Sequence, residues 1–261
     1  MTVPVSVVVP MHNSERTIAR ALGSVLSQTA IPREIIVVDD YSTDSSYNVV
    51  SALKETSPVD IRLIQLEENL GPSRTRNIGW NAATSDFLAF LDSDDSWHRR
   101  KLEIQVRWML GNPECVISGH LTGRCPVEIE ESEQELREFR LSDFLIRNRV
   151  STPTVMLRRS LEDRFDEEMW YAEDFDLWIR IVSRHRKLTR IELSLAQLHK
   201  ADYGESGLSS HLNQMYRGER RAIAKLHQSE MITWKCAVVS QGWMTIKYSL
   251  RLVRTKLRRN R

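Results

Sequence analysis

The stretch VSVVVPMHNSERTIARALGSVLSQTAIPREIIVVDD, residues 5–40, decides the fold of this chain. Two runs that are apolar almost throughout, residues 5–9 and 35–38, flank a segment whose apolar residues recur every three or four positions. Short apolar runs are typical of strands buried on both faces, and the wider spacing is typical of a helix with one face on a core. The stretch therefore predicts a β-α-β unit, with Asn13 or Ser14 as the candidate cap of the helix.

The same pattern continues through the first half of the chain. A third apolar run occupies residues 87–91, and a weaker strand is expected at 61–66. Helices are expected after Asp44 and near Pro72, because proline suits a first helical turn. Residues 1–120 are therefore predicted to form an open, mostly parallel sheet with covering helices, which is an α/β fold.

The second half is predicted to elaborate the same domain. A strand is expected at residues 154–157 and a helix at 174–183. The acidic segment 128–138 predicts an exposed helix or loop, and residues 202–211 predict an irregular segment. No internal repeat or linker separates these parts.

Composition excludes several classes of protein. With 41% hydrophobic and 28% charged residues in 261, the chain is neither collagen-like, low-complexity nor disordered. Its three cysteines form no CxxC pair, so neither a disulfide framework nor a zinc knuckle is predicted. The N-terminus lacks a signal-peptide pattern, and no run approaches the roughly 18 apolar residues of a membrane span. We expect a cytoplasmic protein, soluble or resting on a membrane surface.

Acidic clusters follow two of the three predicted strands. The first strand runs into the sequence PMHN at 10–13, the second into DDYSTD at 39–44 and the third into DSDD at 92–95. Ligands bind at the carboxyl ends of strands in open parallel sheets. Carboxylates gathered there would repel one another unless a cation lay between them, and Mg²⁺ or Mn²⁺ with substrate phosphates suits such oxygen ligands. For each aspartate alone, helix capping is the alternative.

Two arginines belong to the same predicted edge. Arg74 and Arg76 lie in the first turns of the helix that starts near Pro72. Guanidinium groups and helix N-termini both favour anions, so a bound phosphate or a nearby carboxylate is expected. An ordinary surface ion pair is the preferred interpretation for Arg74.

Six motifs, in this order along the chain, resemble those of family 2 glycosyltransferases with the GT-A fold. The resemblance covers about residues 4–200. The motifs are VSVVVPMHN (5–13), SVLSQT (24–29), EIIVVDDYSTDSS (34–46), NLGPSRTRNIG (69–79), FLAFLDSDDSW (87–97) and WYAEDFDLWIR (170–180). The resemblance implies a GT-A domain over residues 1–210, with a nucleotide-binding half (1–120) and an acceptor half (121–210). A basic helical extension over 211–261 is expected to follow this domain.

The resemblance also implies an activity and a set of site residues. The activity is inverting transfer of a sugar from a nucleotide diphosphate donor, such as a UDP-sugar, to an acceptor hydroxyl, with Mn²⁺ or Mg²⁺ as cofactor. Asp174 matches the catalytic base, and Asp92 and Asp94 match the metal-binding DxD motif. The other residues expected to bind the nucleotide-sugar are Pro10, His12, Asp40, Arg76 and Ser93. Further candidate site residues are Asn13, Asp39, Trp178, Glu173, which is expected to orient the acceptor or the loop, and His199, which is a candidate for a metal or phosphate. Helix capping remains the alternative for Asp174, and a structural role remains one for His199.

The chain departs from the family pattern at two places. His12 stands where relatives commonly have tyrosine, although an imidazole can still stack on a base. Residues 162–166 read EDRFD where many relatives have a glycine pair before Phe-Asp. The identity of the donor sugar and of the acceptor therefore cannot be inferred from the relatives. His199 and the loop at 204–207 resemble a region that closes over donor phosphates in some relatives.

The C-terminal segment carries a charge opposite to that of the body. Residues 247–261 hold seven basic residues and no acid, whereas residues 1–246 hold 30 basic and 35 acidic residues. An apolar stripe spaced 3, 4, 3, 4 is flanked by these charges; it comprises Trp243, Ile246, Leu250, Val253 and Leu257. The pattern predicts either a helix on an anionic membrane surface or one packed on the core. Nucleic acid is not an expected partner, because the body lacks a basic stripe.

The sequence therefore predicts a glycosyltransferase of surface polysaccharide or lipid-linked glycan synthesis. A sugar-phosphate nucleotidyltransferase should carry a glycine-rich loop after the first strand, and residues 10–17 contain no glycine. A GT-A-fold binding module without activity is the remaining alternative. Such a module would be expected to lack the acidic site residues, whereas this chain has Asp40, Asp92, Asp94 and Asp174.

Overall fold

The computed structural model describes residues 1–123, 135–199 and 210–259. One sheet of nine strands forms its centre. The strands are β1 Thr2–Met11, β2 Ile31–Asp39, β3 Asp60–Gln65, β4 Phe87–Phe90, β5 Ser96–Trp97, β6 Ile117–Gly123, β7 Leu136–Phe139, β8 Met156–Arg158 and β9 Leu188–Gln197.

The sheet follows the order β3-β2-β1-β4-β8-β6-β9-β5, with β7 paired to β9. The first four strands of this order are parallel, in the register Val7 to Ile35 and Val7 to Ala89. Antiparallel pairing begins where β8 joins β4, and β6 and β9 run parallel again. The carboxyl ends of β1, β2 and β4 consequently meet at one edge, as the α/β prediction requires.

Helices cover the sheet. They are α1 Ile18–Leu26, α2 Ser46–Thr56, α3 Gly71–Ala82, α4 Lys101–Gly111, α5 Leu141–Ile146, α6 Glu173–His185, α7 Leu212–Gln228 and α8 Trp234–Arg259, and a short 3₁₀ turn spans Thr152–Thr154. Two apolar cores lie on opposite sides of the sheet: Val8 packs with Trp80 and Trp178, and Val7 packs with Leu22 and Leu102. Burial of both strand faces explains why β1 and β2 read as almost continuous apolar runs.

The predicted strands and helices of the first half are present, but two local predictions were wrong. The N-cap of α1 is Thr17 rather than Asn13 or Ser14, because the chain makes an extra turn before the helix. Residues 136–138 of the acidic segment 128–138 belong to the strand Leu136–Phe139, because this strand pairs with residues 188–191 of β9. Residues 200–209, which include the loop at 204–207, lie outside the described residues.

A glycine on α3 allows that helix to approach the sheet closely. A Cβ at Gly79 would lie 2.4 Å from Val8 Cγ1, which is far inside van der Waals contact. Any larger residue would force the Val8 side chain, β1 or α3 to shift. The position of α3 on β1 in turn places the start of α3 beside the loops that follow β1 and β2.

The two C-terminal helices pack against each other, α7 also against α6 and α8 also against α5. Tyr216 of α7 stacks on Tyr248 of α8 with ring centroids 4.5 Å apart, and Tyr216 Oη lies 2.8 Å from Thr245 Oγ1. Met244 is buried, whereas the apolar stripe on another face of α8 is exposed: Trp243 is 41%, Ile246 52%, Leu250 54% and Val253 54% exposed. Across the three described ranges, none of the helices has the length and apolar character needed to cross a bilayer.

Candidate active site

Three loops at the carboxyl edge of the sheet are joined by hydrogen bonds. Ser14 Oγ and Ser93 Oγ lie 2.7 Å apart and connect the loop after β1 with the loop after β4. Thr43 N donates to Asn13 Oδ1 at 2.9 Å and connects the loops after β1 and β2. The candidate residues on these loops therefore share one edge and hold one another in place. Pro10, the last residue before Met11 of β1, is half-buried there and pairs with Val38 of β2.

Asp40 supports the start of α3. Its carboxylate accepts hydrogen bonds from Leu70 N at 2.7 Å and Gly71 N at 2.9 Å, and the residue is 5% exposed. A carboxylate at this place satisfies backbone donors that a helix leaves open and complements the helix dipole. Asp40 therefore stabilises the start of α3 and does not cap the following helix, α2, as the capping alternative expected. Contact between Asp40 and a nucleotide base stays a prediction.

The other two aspartates of the second loop form local turns. Asp39 is fully buried, and its Oδ1 accepts from Ser42 N at 3.1 Å. Asp44 Oδ1 accepts from Ser46 N at 2.9 Å, at the start of α2. Hydrogen bonds lower the pKa of Asp44 although burial opposes them, so this carboxylate stays charged. Both residues shape the loop that carries Asp40.

His12 is exposed at the same edge and its ring is oriented by three polar groups. Its Nδ1–H donates to Asp40 O at 2.7 Å, and its Nε2 accepts from Asn13 Nδ2 at 3.1 Å and from Asn69 Nδ2 at 3.3 Å. These bonds fix the orientation of the ring. Asn69 was not predicted as a site residue, although it lies within the motif NLGPSR.

Arg76 connects the donor side of the site with the start of α6. Its two terminal nitrogens lie 2.8 Å from Asp92 Oδ1 and 2.8 Å from Glu173 Oε1. Although burial opposes it, the two carboxylates raise the pKa of Arg76, so the guanidinium stays charged. Arg74, by contrast, pairs with Glu167 at 3.1 Å with both side chains 48% exposed, which is the surface pair expected from the sequence.

Asp174 lies beside this buried ion cluster. Its Oδ2 accepts from Asn148 Nδ2 at 3.1 Å and its Oδ1 from Phe175 N at 2.7 Å. Burial and, to a smaller extent, the neighbouring Glu173 raise the pKa of Asp174 to about 7, against the opposing effect of the Phe175 N–H. A carboxylate with such a pKa can accept a proton near neutral pH. The N-cap of α6 is Ala172, in the left-handed conformation at φ 57°, so Asp174 is not the helix cap.

A second group surrounds Asp94. Arg20 of α1 donates to Asp94 O at 2.7 Å, and Ser96 Oγ lies 2.8 Å from His199 Nε2. Burial and Arg20 lower the pKa of His199 while Asp94 opposes them, which places His199 and Asp94 within electrostatic reach of each other. Sequence reasoning missed both Arg20 and Asn148, because neither lies in a recognisable motif.

The residues present fit a divalent cation held jointly with a ligand. Within residues 1–123, 135–199 and 210–259, no group of three His, Cys, Asp or Glu side chains is arranged to hold a metal ion. Asp92 and Asp94 nevertheless offer the hard oxygen ligands that Mg²⁺ and Mn²⁺ prefer. One or two carboxylates suffice where substrate phosphates complete the coordination shell.

One candidate does not belong to the site. Trp178 is fully buried and packs edge-to-face on Phe165 with ring centroids 5.9 Å apart. Its burial places Trp178 in the core and not among the candidate site residues. Its spacing with Leu177 and Ile181 reflects the apolar face with which α6 meets the core.

Comparison with known proteins gives concordant results. The family model Glycosyl transferase family 2 matches residues 6–165. The chain is 33% identical over 189 residues to UDP-Glc:alpha-D-GlcNAc-diphosphoundecaprenol beta-1,3-glucosyltransferase WfgD of Escherichia coli, covering 68% of this chain and 69% of that protein. It is 29% identical over 211 residues to amylovoran biosynthesis glycosyltransferase AmsB of Erwinia amylovora, covering 74% and 69%. For a glycosyltransferase of Rickettsia felis, the matched part is only 33% of that protein's length.

Solved structures share the fold. S. aureus TarS 1-349 in complex with UDP-GlcNAc has a TM-score of 0.67 at 24% identity, covering 85% of this chain and 66% of that one. The mannosyltransferase PcManGT from Pyrobaculum calidifontis, in complex with GDP-Man and Mn²⁺, has a TM-score of 0.65 at 20% identity, covering 86% and 64%. The predicted α/β fold of GT-A type is thus confirmed. Taken with the match over residues 6–165, these findings show that the chain belongs to glycosyl transferase family 2.

Proposed function

We propose that this protein is an inverting, metal-dependent glycosyltransferase that moves a sugar from a UDP-sugar to a hydroxyl of a lipid-linked glycan. The observation that carries the proposal is the position of Arg76, which joins Asp92 of the predicted DxD motif to Glu173, the neighbour of Asp174. Asp92 on the donor side and Asp174, the proposed base with its raised pKa, therefore both lie near the buried guanidinium of Arg76. The proposed process is surface polysaccharide or lipid-linked glycan synthesis, which the names of AmsB and WfgD indicate for those relatives.

On the donor side, the loops after β1, β2 and β4 bind the nucleotide diphosphate. His12, exposed and held in one orientation, offers a ring face to the base, and Asp40 and Arg76 complete the donor pocket. Asp92 and Asp94 would hold Mn²⁺ or Mg²⁺, which as a Lewis acid stabilises the charge that develops on the departing diphosphate. Hydrogen bonds of Ser93, Asn13 and Asp39 hold these loops in position. His199, which follows β9, lies near Asp94.

On the acceptor side, Asp174 accepts the proton of the attacking hydroxyl. Its raised pKa makes it a better base than an exposed aspartate, because an exposed carboxylate holds a proton only in acid. Asn148 donates to Oδ2 and Phe175 N to Oδ1, so the orientation of the carboxylate is fixed. A single displacement with inversion needs one such base and no enzyme nucleophile.

The proposed acceptor is attached to a lipid, which calls for contact with a membrane. The described members of the apolar stripe of α8 are exposed, which supports this contact, although Trp243 Nε1 also donates to Ile146 O of α5 at 3.0 Å. Basic residues without acids follow it through residues 247–261. An interfacial helix of this kind binds through apolar area and attraction to anionic lipid. We infer peripheral binding to an anionic membrane surface through α8.

The proposal is tested by thermal shift with nucleoside diphosphates. UDP, GDP, CDP and TDP are each added with Mn²⁺ or with EDTA, because a ligand that binds only the folded state raises the melting temperature. We expect UDP with Mn²⁺ to produce the largest rise and EDTA to remove it. No rise with any diphosphate would overturn the donor-site proposal, and a rise that EDTA leaves unchanged would overturn metal dependence.

A further inference from the structure

A groove outside the donor loops runs along α7, between the segment that precedes α6 and helix α8. Its polar and aromatic lining includes the acid Glu168 as well as Trp170, Tyr171, Arg217, Arg220, Arg221 and Gln241. Two adjoining depressions share Arg217 and Arg221, so the groove is continuous from Trp170 to Gln241. None of these residues was predicted as part of a site.

Helix α7 is held directly on the segment that leads to the candidate base. A Cβ at Gly218 would lie 2.2 Å from Tyr171 O, so only glycine permits this approach. Tyr171 precedes Asp174 by three positions. The groove therefore begins within a few residues of the base that we propose for the transfer.

Trp170 links the groove to the donor side. Its ring packs against Gly71, where an added Cβ would lie 2.9 Å from Trp170 Cε2. Gly71 N in turn donates to Asp40, which belongs to the predicted donor pocket. The indole is 45% exposed, so a large aromatic surface faces solvent between the donor loops and the groove.

The groove carries two excess positive charges. Arg221 pairs with Glu168 at 2.6 Å, which neutralises one of the three arginines. Arg220 donates to Gln241 Oε1 at 3.2 Å and to Tyr216 Oη at 3.4 Å, and neither group is charged. Among the described residues, no carboxylate lies within ion-pair distance of Arg217 or Arg220. These two guanidinium groups are therefore available to an anion.

We propose that this groove binds the diphosphate group of a lipid-diphosphate-linked acceptor, an inference that rests on the transferase function proposed above. A diphosphate diester carries two negative charges, which match Arg217 and Arg220, and guanidinium forks bind phosphate oxygens in pairs. The acceptor sugar then packs its C–H face on Trp170 and points its hydroxyl towards Asp174. The lipid continues along α8, where Trp243 follows Gln241 by two positions and begins the exposed apolar stripe.

The probe for this proposal is farnesyl diphosphate, titrated calorimetrically into the full chain with UDP and Mn²⁺ present in excess to fill the donor site. We expect the double variant R217Q/R220Q to bind farnesyl diphosphate at least about tenfold more weakly than the original chain. The charge-retaining variant R217K/R220K should lie between the two. The matched control R33Q/R107Q removes two exposed arginines elsewhere and should bind normally.

Three results would overturn the proposal. The first is undiminished binding of farnesyl diphosphate by R217Q/R220Q, and the second is equal binding of uncharged farnesol by the original chain. The third is that R217Q/R220Q loses flotation with phosphatidylglycerol vesicles but still binds farnesyl diphosphate, because the two arginines would then bind lipid headgroups. Circular dichroism and the melting temperature verify that the variant folds.

A titration with UDP alone separates this proposal from the one on which it rests. If the arginine-dependent binding of farnesyl diphosphate is present but UDP does not bind, the donor proposal fails and the groove stands. If R217Q/R220Q loses UDP affinity in parallel, the arginines belong to the donor site and the groove proposal fails.

Discussion

Arg76 and Glu173 form an ion pair of 2.8 Å although 97 positions separate them in the chain. The pair joins α3, which starts beside the donor loops, to the first residue of α6, which carries the candidate base. Asp92 shares the same guanidinium at 2.8 Å. The relative position of the loop after β4 and the start of α6 thus depends on one buried cation.

Replacement of Arg76 by lysine should destabilise the protein. A lysine ammonium cannot span Asp92 and Glu173 as the planar guanidinium does, so one buried carboxylate loses its partner. We expect the free energy of unfolding in urea to fall by about 2 kcal/mol. Arg74→Lys, on the same helix but in an exposed pair, is the control and should change it by less than about 0.5 kcal/mol. Equal effects of the two substitutions would contradict a structural role for the Arg76 bridge.

Asp174→Asn should abolish transfer while the donor still binds. We expect kcat to fall about 10² to 10⁴-fold, because the amide cannot accept the proton, with an unchanged thermal shift by UDP and Mn²⁺. Asp60→Asn, at an exposed position of β3, is the control. Substantial residual turnover would indicate another base. If the unaltered chain binds UDP but transfers nothing to any acceptor, the chain is a binding module.

The stability of Asp174→Asn should be normal or increased at alkaline pH. The folded state raises the pKa of Asp174 from 3.8 to about 7, so folding is favoured when the carboxyl is protonated. This contribution to stability is therefore lost as the pH rises through about 7, and the neutral amide avoids the loss. Melting temperatures of the two proteins at pH 5 and pH 8 test this, and a lower value for the variant at pH 8 would contradict it.

The transfer rate should depend on pH through the same group. Because the base must be unprotonated and its pKa is about 7, kcat/KM should fall about tenfold for each pH unit below 7 and level off above it. A rate profile between pH 5 and 9 at fixed Mn²⁺ measures this. An acid limb centred near pH 4 would show that Asp174 titrates as an ordinary exposed aspartate.

Gly79→Ala should disturb the contact between α3 and β1. The added methyl group would lie 2.4 Å from Val8 Cγ1, and overpacking of this kind costs about 1–3 kcal/mol of unfolding free energy. Gly23→Ala is the matched control on α1, since no atom lies within 4 Å of the added Cβ. That control should stabilise the protein by about 0.5–1 kcal/mol through helix propensity. Denaturant unfolding of both variants supplies the comparison.

Membrane binding should depend on the apolar stripe of α8. We expect the triple variant I246S/L250S/V253S to lose flotation with vesicles that contain phosphatidylglycerol, since it removes exposed apolar surface without a buried contact. The control L110S/L136S changes exposed leucines on α4 and β7. Equal flotation of all three proteins, or none by the original chain, would refute the membrane role of this stripe.

Local structure in the first half of the chain could be predicted from the sequence. The runs at 5–9, 35–38 and 87–91 became β1, β2 and β4, because strands buried on both faces leave an unbroken apolar signal. The edge that carries the candidate residues followed from the same reasoning, since parallel strands end together. The family motifs added the roles of Asp92, Asp94 and Asp174, which remain predictions.

Pairings between distant residues required the tertiary structure. The bond from Asn148 to Asp174, the contact of Arg20 with Asp94 and the groove beside Arg217 join segments that carry no shared pattern. Trp178 has helical spacing that suits a core or a site equally, and only its burial decided between them. Apolar periodicity is a property of neighbouring residues and is therefore readable along the chain. The partner of a buried charge depends on which loops the sheet order brings together, and that order is settled by packing of the whole molecule.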